Sequence, residues 1–388
     1  MNLEVPSDSL YGAFETVAQK FPGKTALLYL GGRFSYRQVQ GMVLSLAASL
    51  SRIGVGPGER VVLYLYNLPQ AILAWLALQR LGAIAVPIAP VYGAYDLRYL
   101  VADSGAETIF CMDSNFNYVD EVLSDTPLKR IIHTNMLDMV PWWKSAVARG
   151  LERVPLGRSP KGESVYPFKE LLLKGDLNAL PPFEPMTGHG TAVILYTGGT
   201  TGFPKGVQLS TGLFLNNVME WRRAALGVVP LGDGVSALTA PFYHVIGLMD
   251  ATAPLLIGGE SLIMLPRVVL DGLLHQIQRH RATNIFAVPA LYRMILEHDR
   301  LDLYDLGSLR YCGVGGDVLP VEVAKRWRDK LGVPLYQGYG ATEFCGAVTL
   351  SYSNLGDAPE GSIGKVTAGS KVKLVDPETP AGAARTAG

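Results

Sequence analysis

The chain has 388 residues, with 34 basic against 34 acidic, and is 48% hydrophobic and 18% charged. That length implies two or more subdomains with sizeable cores, and a net charge of zero supplies no field to draw nucleic acid or an anionic membrane. Cys111, Cys312 and Cys345 stand far apart, which argues against a zinc site or a disulfide framework and fits a reducing, cytoplasmic setting.

No apolar run reaches transmembrane length, and the N-terminus lacks the basic and apolar regions of a signal peptide. Strands and helices alternate from the start. Residues 25–30 read as a strand and Gly31-Gly32 as a tight turn. Ser35 is placed to cap a helix whose Val39, Val43, Leu46, Ala47, Leu50 and Ile53 share one face. Residues 61–65 form the next strand, and Asn67 is placed to cap a helix running to Gly82. Strands follow at 83–88, 108–111 and 130–133. Residues 135–190 are less regular, and Trp142-Trp143-Lys144 reads as packing within an insertion.

The apolar strand Ala192-Val193-Ile194-Leu195 opens a second series. A helix is expected over 213–226, with strands at 236–240, 261–265, 284–288, 309–312 and 334–336. Alternation of this kind predicts an α/β fold with parallel sheets covered on both faces. The expected division is a first subdomain over 1–185, a second over 186–345, and a partial β subdomain over 346–388. A cleft between the first two is the natural ligand site.

The run Tyr196-Thr197-Gly198-Gly199-Thr200-Thr201-Gly202-Phe203-Pro204-Lys205-Gly206 leaves the strand at its centre. Glycines let backbone N–H groups approach an anion, threonines add hydroxyl donors, and Lys205 reaches outer phosphate oxygens. The common nucleotide loop needs Gly-Lys-Ser/Thr at a helix start. Here Pro204 lacks an N–H and keeps Phe203 out of the helical region, so the loop is expected to be an extended flap closing over a polyphosphate. A plain Gly/Thr-rich surface turn fits less well, given the preceding strand and the Pro-Lys-Gly ending.

Three further stretches end strands. Tyr336-Gln337-Gly338-Tyr339-Gly340-Ala341-Thr342-Glu343 offers glycines for close approach to a flat ring, the Tyr339 face, the Thr342 hydroxyl and a hard oxygen ligand in Glu343. Magnesium favours one or two carboxylates with phosphate oxygens, a role that suits Glu343. Pro241-Phe242-Tyr243-His244-Val245-Ile246-Gly247 places His244 between a strand and an apolar helix. Without other context, a hydrogen-bonded structural histidine fits equally well. Tyr311-Cys312-Gly313-Val314-Gly315-Gly316-Asp317-Val318 falls short of a dinucleotide fingerprint because Val318 replaces the third glycine. His275 and His280 lie five apart on a helix and do not share a face, so they are read as surface residues.

The flap resembles the signature of the adenylate-forming superfamily, which includes acyl- and aryl-CoA synthetases, luciferases and peptide-synthetase adenylation domains. It departs once, with Gly198 in place of serine, a variant shared by fatty acyl-CoA synthetases. The Tyr339-Gly340-Ala341-Thr342-Glu343 motif matches in full, about 140 residues on, and Gly361-Ser362-Ile363-Gly364-Lys365-Val366 matches except for Val366. The resemblance implies a five-layered αβαβα arrangement with an incomplete small β-barrel.

By the same resemblance, Thr197, Gly198, Gly199, Thr200, Thr201, Gly202 and Lys205 would hold the phosphates of ATP. Gly315, Gly316, Asp317, Gly338, Tyr339 and Gly340 would border adenine, with Tyr339 stacking on it. Thr342 would contact the α-phosphate, and Glu343 and Thr200 would hold Mg2+. His244, with Thr342, Glu343 and Lys205, would serve catalysis, a partly positive imidazole offsetting charge as two anions meet. Tyr243, His244, Val245, Gly313, Val314 and Gly338 would line the acid pocket.

The implied reaction is attack of a carboxylate on the α-phosphate of ATP, then displacement of AMP by the thiol of coenzyme A. The acid is expected to be apolar or fatty. An aryl-acid or carrier-loading enzyme and an acyl-adenylate-binding module are the alternatives, with a phosphate-loop ATPase more distant. The resemblance spans residues 11–379 and then breaks. The aspartate motif, hinge and lysine-bearing C-terminal domain of family members find no match. The chain alone is therefore expected to bind ATP or an acyl-adenylate but to adenylate slowly. A homodimer is left open.

Overall fold

The alternation resolves into two sheets. The computed structural model describes residues 3, 6–141, 157, 162–198, 202–356, 358–359, 361–375 and 384–385. Trp142, Trp143 and Lys144 lie outside the described residues. Helix α1 (Leu10–Lys20) precedes the hairpin β1 (Thr25–Tyr29) and β2 (Gly32–Ser35), followed by α2 (Tyr36–Arg52). Next come β3 (Arg60–Tyr64), α3 (Pro69–Leu81), β4 (Ile84–Pro87) and α4 (Ala94–Ser104). Strand β5 (Thr108–Met112), α5 (Phe116–Val122) and β6 (Arg130–Thr134) continue the alternation. Short β7 (Val165–Pro167) and α6 (Phe168–Leu173) lead to the hairpin β8 (Thr191–Thr197) and β9 (Lys205–Ser210).

The second half runs α7 (Thr211–Ala225), β10 (Val235–Leu238), α8 (Val245–Ala253), β11 (Ser261–Met264) and α9 (Leu270–His280). It continues with β12 (Asn284–Ala287), α10 (Pro289–Leu296), β13 (Tyr311–Val314), α11 (Val321–Leu331) and β14 (Leu335–Ala341). Strands β15 (Gly346–Leu350) and β16 (Lys365–Val366) precede a ribbon of β17 (Leu374–Val375) and β18 (Ala384–Arg385).

Seven strands form one sheet, in the order β7-β6-β5-β3-β4-β8-β9. Nine form the other, in the order β16-β15-β14-β13-β12-β10-β11-β1-β2. Sheet membership crosses the expected boundary at residue 185. The hairpin β1–β2 joins the second sheet, with Leu27 opposite Leu262. The hairpin β8–β9 closes the first sheet, with Val193 opposite Ala85. Strands β15 and β16, expected in a separate β subdomain, extend the second sheet through β14. An apolar run reveals that a strand is buried; it does not name the neighbour.

Period two sorts the strand side chains into layers. Val61 and Leu63 of β3 join a central core with α1, α2, α3, α7 and α8. Val62 and Tyr64 of the same strand face an outer core with α4 and α5. On the second sheet, Phe286 and Tyr311 turn to the central core, while Ile285, Cys312 and Val314 pack under α9, α10 and α11. Helix, sheet, helix, sheet, helix is the five-layered order expected.

Local signals agree with their elements. Ser35 and Gln38 close a reciprocal capping box at the start of α2, which satisfies two otherwise unpaired N–H groups. Gly82 ends α3 in the left-handed region at φ 69°. Asn67 departs from expectation: Leu68 takes the N-cap of α3, without a side-chain cap bond. Among the described residues no helix is long and apolar enough to cross a membrane.

Candidate active site

A cavity of about 290 Å³ lies among the strand ends. Thr197, at the end of β8, lines it beside His244 and Val245 at the start of α8. Gly315 and Gly316 line it after β13, and Gly338, Tyr339, Gly340, Thr342 and Glu343 line it from β14 and the following turn. These segments are far apart in the chain, and the fold brings them to one place.

Strand β14 is longer than expected, running through Tyr339 and Gly340 and pairing antiparallel with β15. Gly340 is required there, since a Cβ would stand 1.8 Å from the carbonyl oxygen of Gly346. The 3-10 turn Thr342–Phe344 follows, closed by the Cys345 N–H donating to the Thr342 carbonyl at 2.9 Å. Glu343 is exposed at the cavity and Tyr339 is 54% exposed. The Asn217 amide of α7 donates to the Phe344 carbonyl at 3.2 Å, tying the turn to the helix that follows the flap hairpin.

Lys205 does not line the cavity, but it is the register partner of Thr197, which does. Strand β9, which Lys205 begins, packs against the Thr342–Phe344 turn. Gly198 and Gly202 flank the flap with open space around each. Gly199, Thr200 and Thr201 lie outside the described residues. Helix α4 holds both ends of the flap. The Tyr99 ring stacks on Phe203 at 4.7 Å, and its hydroxyl donates to the Pro204 carbonyl at 2.9 Å. The Tyr196 hydroxyl donates to the Asp103 carboxylate at 2.6 Å.

His244 sits where the charged form of the imidazole is disfavoured. It is the N-cap of α8, and its Nδ1 accepts the Ile246 N–H at 3.3 Å. A nitrogen accepting that bond carries no proton, and desolvation holds the pKa below the usual histidine range. Both effects favour the neutral ring, in which Nε2–H is the donor. Asn67 positions this segment: its amide donates to the Ala240 carbonyl at 3.0 Å and its oxygen accepts the Phe242 N–H at 2.8 Å.

Four expected residues fall elsewhere. Asp317 is exposed beside the cavity, its carboxylate accepting the Val318 N–H at 2.7 Å. Tyr243 opens on a separate cavity of about 350 Å³, with Tyr66 and Arg267. Val314 is buried on the far face of β13, under α11. Gly313 faces the cavity side but lies beneath the Phe286 ring. Sequence reading missed Trp221 and Phe286, which line the cavity, although glycine at alternate positions of a strand marks a face bared for a close neighbour.

The family model for the AMP-binding enzyme matches residues 14–384. The chain belongs to the AMP-binding enzyme family. Among curated relatives of this AMP-binding chain, a long-chain-fatty-acid–CoA ligase of Bacillus subtilis (strain 168) is 29% identical over 377 residues. That match covers 93% of this chain and 64% of the relative. An indoleacetate–CoA ligase of Aromatoleum aromaticum is also 29% identical, over 91% of this chain and 64% of that protein. Among solved structures, an anthranilate CoA ligase in complex with anthranoyl-AMP shares the fold at a TM-score of 0.82. It is 22% identical, with 95% of this chain and 66% of that one covered. The AMP-binding chain spans 64 to 66% of the length of the first curated relatives it matches.

Proposed function

We propose that this chain is the nucleotide- and acid-binding part of an AMP-forming acid–CoA ligase. The observation that carries this is the meeting of Thr197, His244, Thr342 and Glu343 around one cavity, with Lys205 at the neighbouring flap base. In the proposed first step a carboxylate oxygen of the acid attacks the α-phosphorus of ATP. The bond from that phosphorus to the bridging oxygen breaks, and pyrophosphate leaves. Bringing an anion to a polyanion requires donors and charge already in place.

Flap N–H groups and Lys205 serve the outer phosphates, and Thr342 the α-phosphate. Neutral His244 donates Nε2–H to the incoming carboxylate or to an α-phosphate oxygen. Tyr339 and Gly315-Gly316 border the adenine. Glu343, exposed at the cavity, fits the carboxylate that Mg2+ prefers, with Thr200 as its partner on the flap, and the bound ion would offset phosphate charge. The walls formed by Val245, Ile246, Phe286 and Leu350 suit an apolar acid. Coenzyme A, accepting the acyl group with release of AMP, is the proposed second substrate.

Carboxylate-dependent exchange of labelled pyrophosphate into ATP, across a panel of apolar acids, tests the first step. Exchange that requires both an acid and the Glu343 carboxylate supports it. Calorimetric binding of AMP and acyl-adenylate without any exchange would favour a non-catalytic binding module instead.

A further inference from the structure

The far wall of the cavity is an aromatic pair. Phe286 of β12 lies against β13, where a Cβ on Gly313 would stand 2.2 Å from its ring and one on Gly315 3.2 Å. Two glycines at alternate positions leave that face of β13 bare, and the ring takes the space. Trp221 of α7 packs over Phe286 with ring centroids 4.2 Å apart. Both side chains are almost fully buried and both line the cavity. The Phe286 carbonyl accepts the Thr239 hydroxyl at 2.5 Å, which fixes the strand under the ring.

Behind the pair lie buried charged and polar side chains among apolar ones. A space of about 20 Å³ lies there, lined by Trp221 and Phe286 on one side and by Arg222, Asp250, Glu260 and Asn284 on the other. It is room for a single water at most. Arg222 and Glu260 form an ion pair at 2.5 Å, with 2% and 1% of their side chains exposed. The Trp221 side chain and the buried Asp250 carboxyl line the same small space. Swinging Trp221 aside would bring an alkyl chain against the buried Arg222–Glu260 pair, which is unfavourable because buried charge gains nothing from an apolar neighbour. On the remaining sides Leu350 and Ala347 are buried in the core.

The volume sets the same limit. At about 290 Å³ the cavity includes the nucleotide end at Tyr339 and Thr342. It sits at the low end of ligand pockets, which run from about 300 to 1,000 Å³.

We propose that the acid is ring-sized, an aryl acid and not a long alkyl chain, and that Trp221, packed against Phe286, is the residue that sets this limit. The inference rests on the acid-adenylating activity proposed for the same cavity. Flat aromatic walls suit a flat ring, because offset stacking adds to the burial of area. Beyond Trp221 a long chain meets the buried Arg222–Glu260 pair and Asp250.

The test is calorimetric binding of two non-hydrolysable acyl-adenylate mimics, benzoyl- and palmitoyl-sulfamoyl adenosine, to the full chain. The benzoyl mimic is expected to bind about a hundredfold more tightly, the scale at which apolar pockets discriminate by size. Trp221→Ala is expected to bring the palmitoyl mimic to within roughly tenfold of the benzoyl one. Trp221→Leu, which keeps more of the packing, is the second variant, with thermal melting to confirm that each folds. Equal or tighter palmitoyl binding by the unaltered chain overturns the size limit and leaves the adenylating activity standing. A benzoyl preference that persists in folded Trp221 variants overturns the assignment to Trp221. Failure of both mimics and of AMP to bind counts against the underlying activity instead.

Discussion

Lys205 stands directly opposite Thr197 across the antiparallel β8–β9 pair, and Thr197 shares a cavity with Glu343. The flap therefore leaves and rejoins the sheet beside the cavity. In the proposed function its lysine serves the outer phosphates and not the adenosine. Lys205→Met is expected to weaken ATP binding by roughly 10- to 100-fold, the worth of one hydrogen bond to a charged group. AMP binding is expected to change little. Calorimetry with the two nucleotides checks this, and equal losses for both would place Lys205 elsewhere.

Tyr99 fastens the flap from the opposite side, through its ring to Phe203 and its hydroxyl to the Pro204 carbonyl. Tyr99→Phe removes a bond worth about 1 kcal/mol, and Tyr99→Ala removes the aromatic pair as well, another 0.5–1.5 kcal/mol or so. Tryptic cleavage after Lys205 is expected to quicken modestly in the first variant and strongly in the second. Identical rates in all three proteins would show that α4 does not restrain the flap.

Gly313→Ala tests the seat of Phe286. Elsewhere in a strand such a change gains a few tenths of a kcal/mol through the unfolded chain. Here the new methyl meets the Phe286 ring at 2.2 Å, and overpacking of this kind costs roughly 1–3 kcal/mol. Urea unfolding is expected to show the loss, accompanied by weaker binding of the benzoyl mimic as the ring is pushed into the cavity. Unchanged stability would mean that Phe286 has room to move.

Asp250 gives a pH dependence of definite sign. Burial pushes its carboxyl well above the usual range, the Trp221 N–H acts against this, and the charge of Glu260 adds to it. The folded protein keeps the group neutral where the unfolded chain, with a pKa of about 3.9, ionises it. Its contribution to stability is fully present below that value and falls as pH rises toward the folded pKa, by up to about 1.4 kcal/mol per pH unit. Asn at this position does not titrate. The stability of Asp250→Asn relative to the unaltered protein is therefore expected to improve as pH rises above about 4 in urea unfolding. A constant difference would mean that the carboxyl titrates alike in both states.

Local chemistry made much of this protein legible. Ser35 with Gln38, Gly82 after α3, and the apolar face of α2 are set by backbone donors, φ and period, all of which a short window contains. The flap and the Tyr339–Glu343 stretch could be read for the same reason, since glycine, threonine, lysine and glutamate in sequence carry their chemistry with them. Asn67 could not be read that way. It looked like a cap, yet its partners are the backbone groups of Ala240 and Phe242, 173 and 175 positions away. His244 was visible as a residue, but its charge depended on the helix it caps.

What the amino-acid order determined by itself was the α/β alternation and the strand faces, because each depends on contacts within a turn or two of chain. Tertiary structure alone decided that β1–β2 and β8–β9 exchange sheets, that Gly313 serves a ring where Val314 serves a core, and that Trp221 packs over Phe286 at the cavity. Those outcomes depend on which distant surfaces pack together, and burial of apolar area is non-directional: it demands a neighbour without naming one.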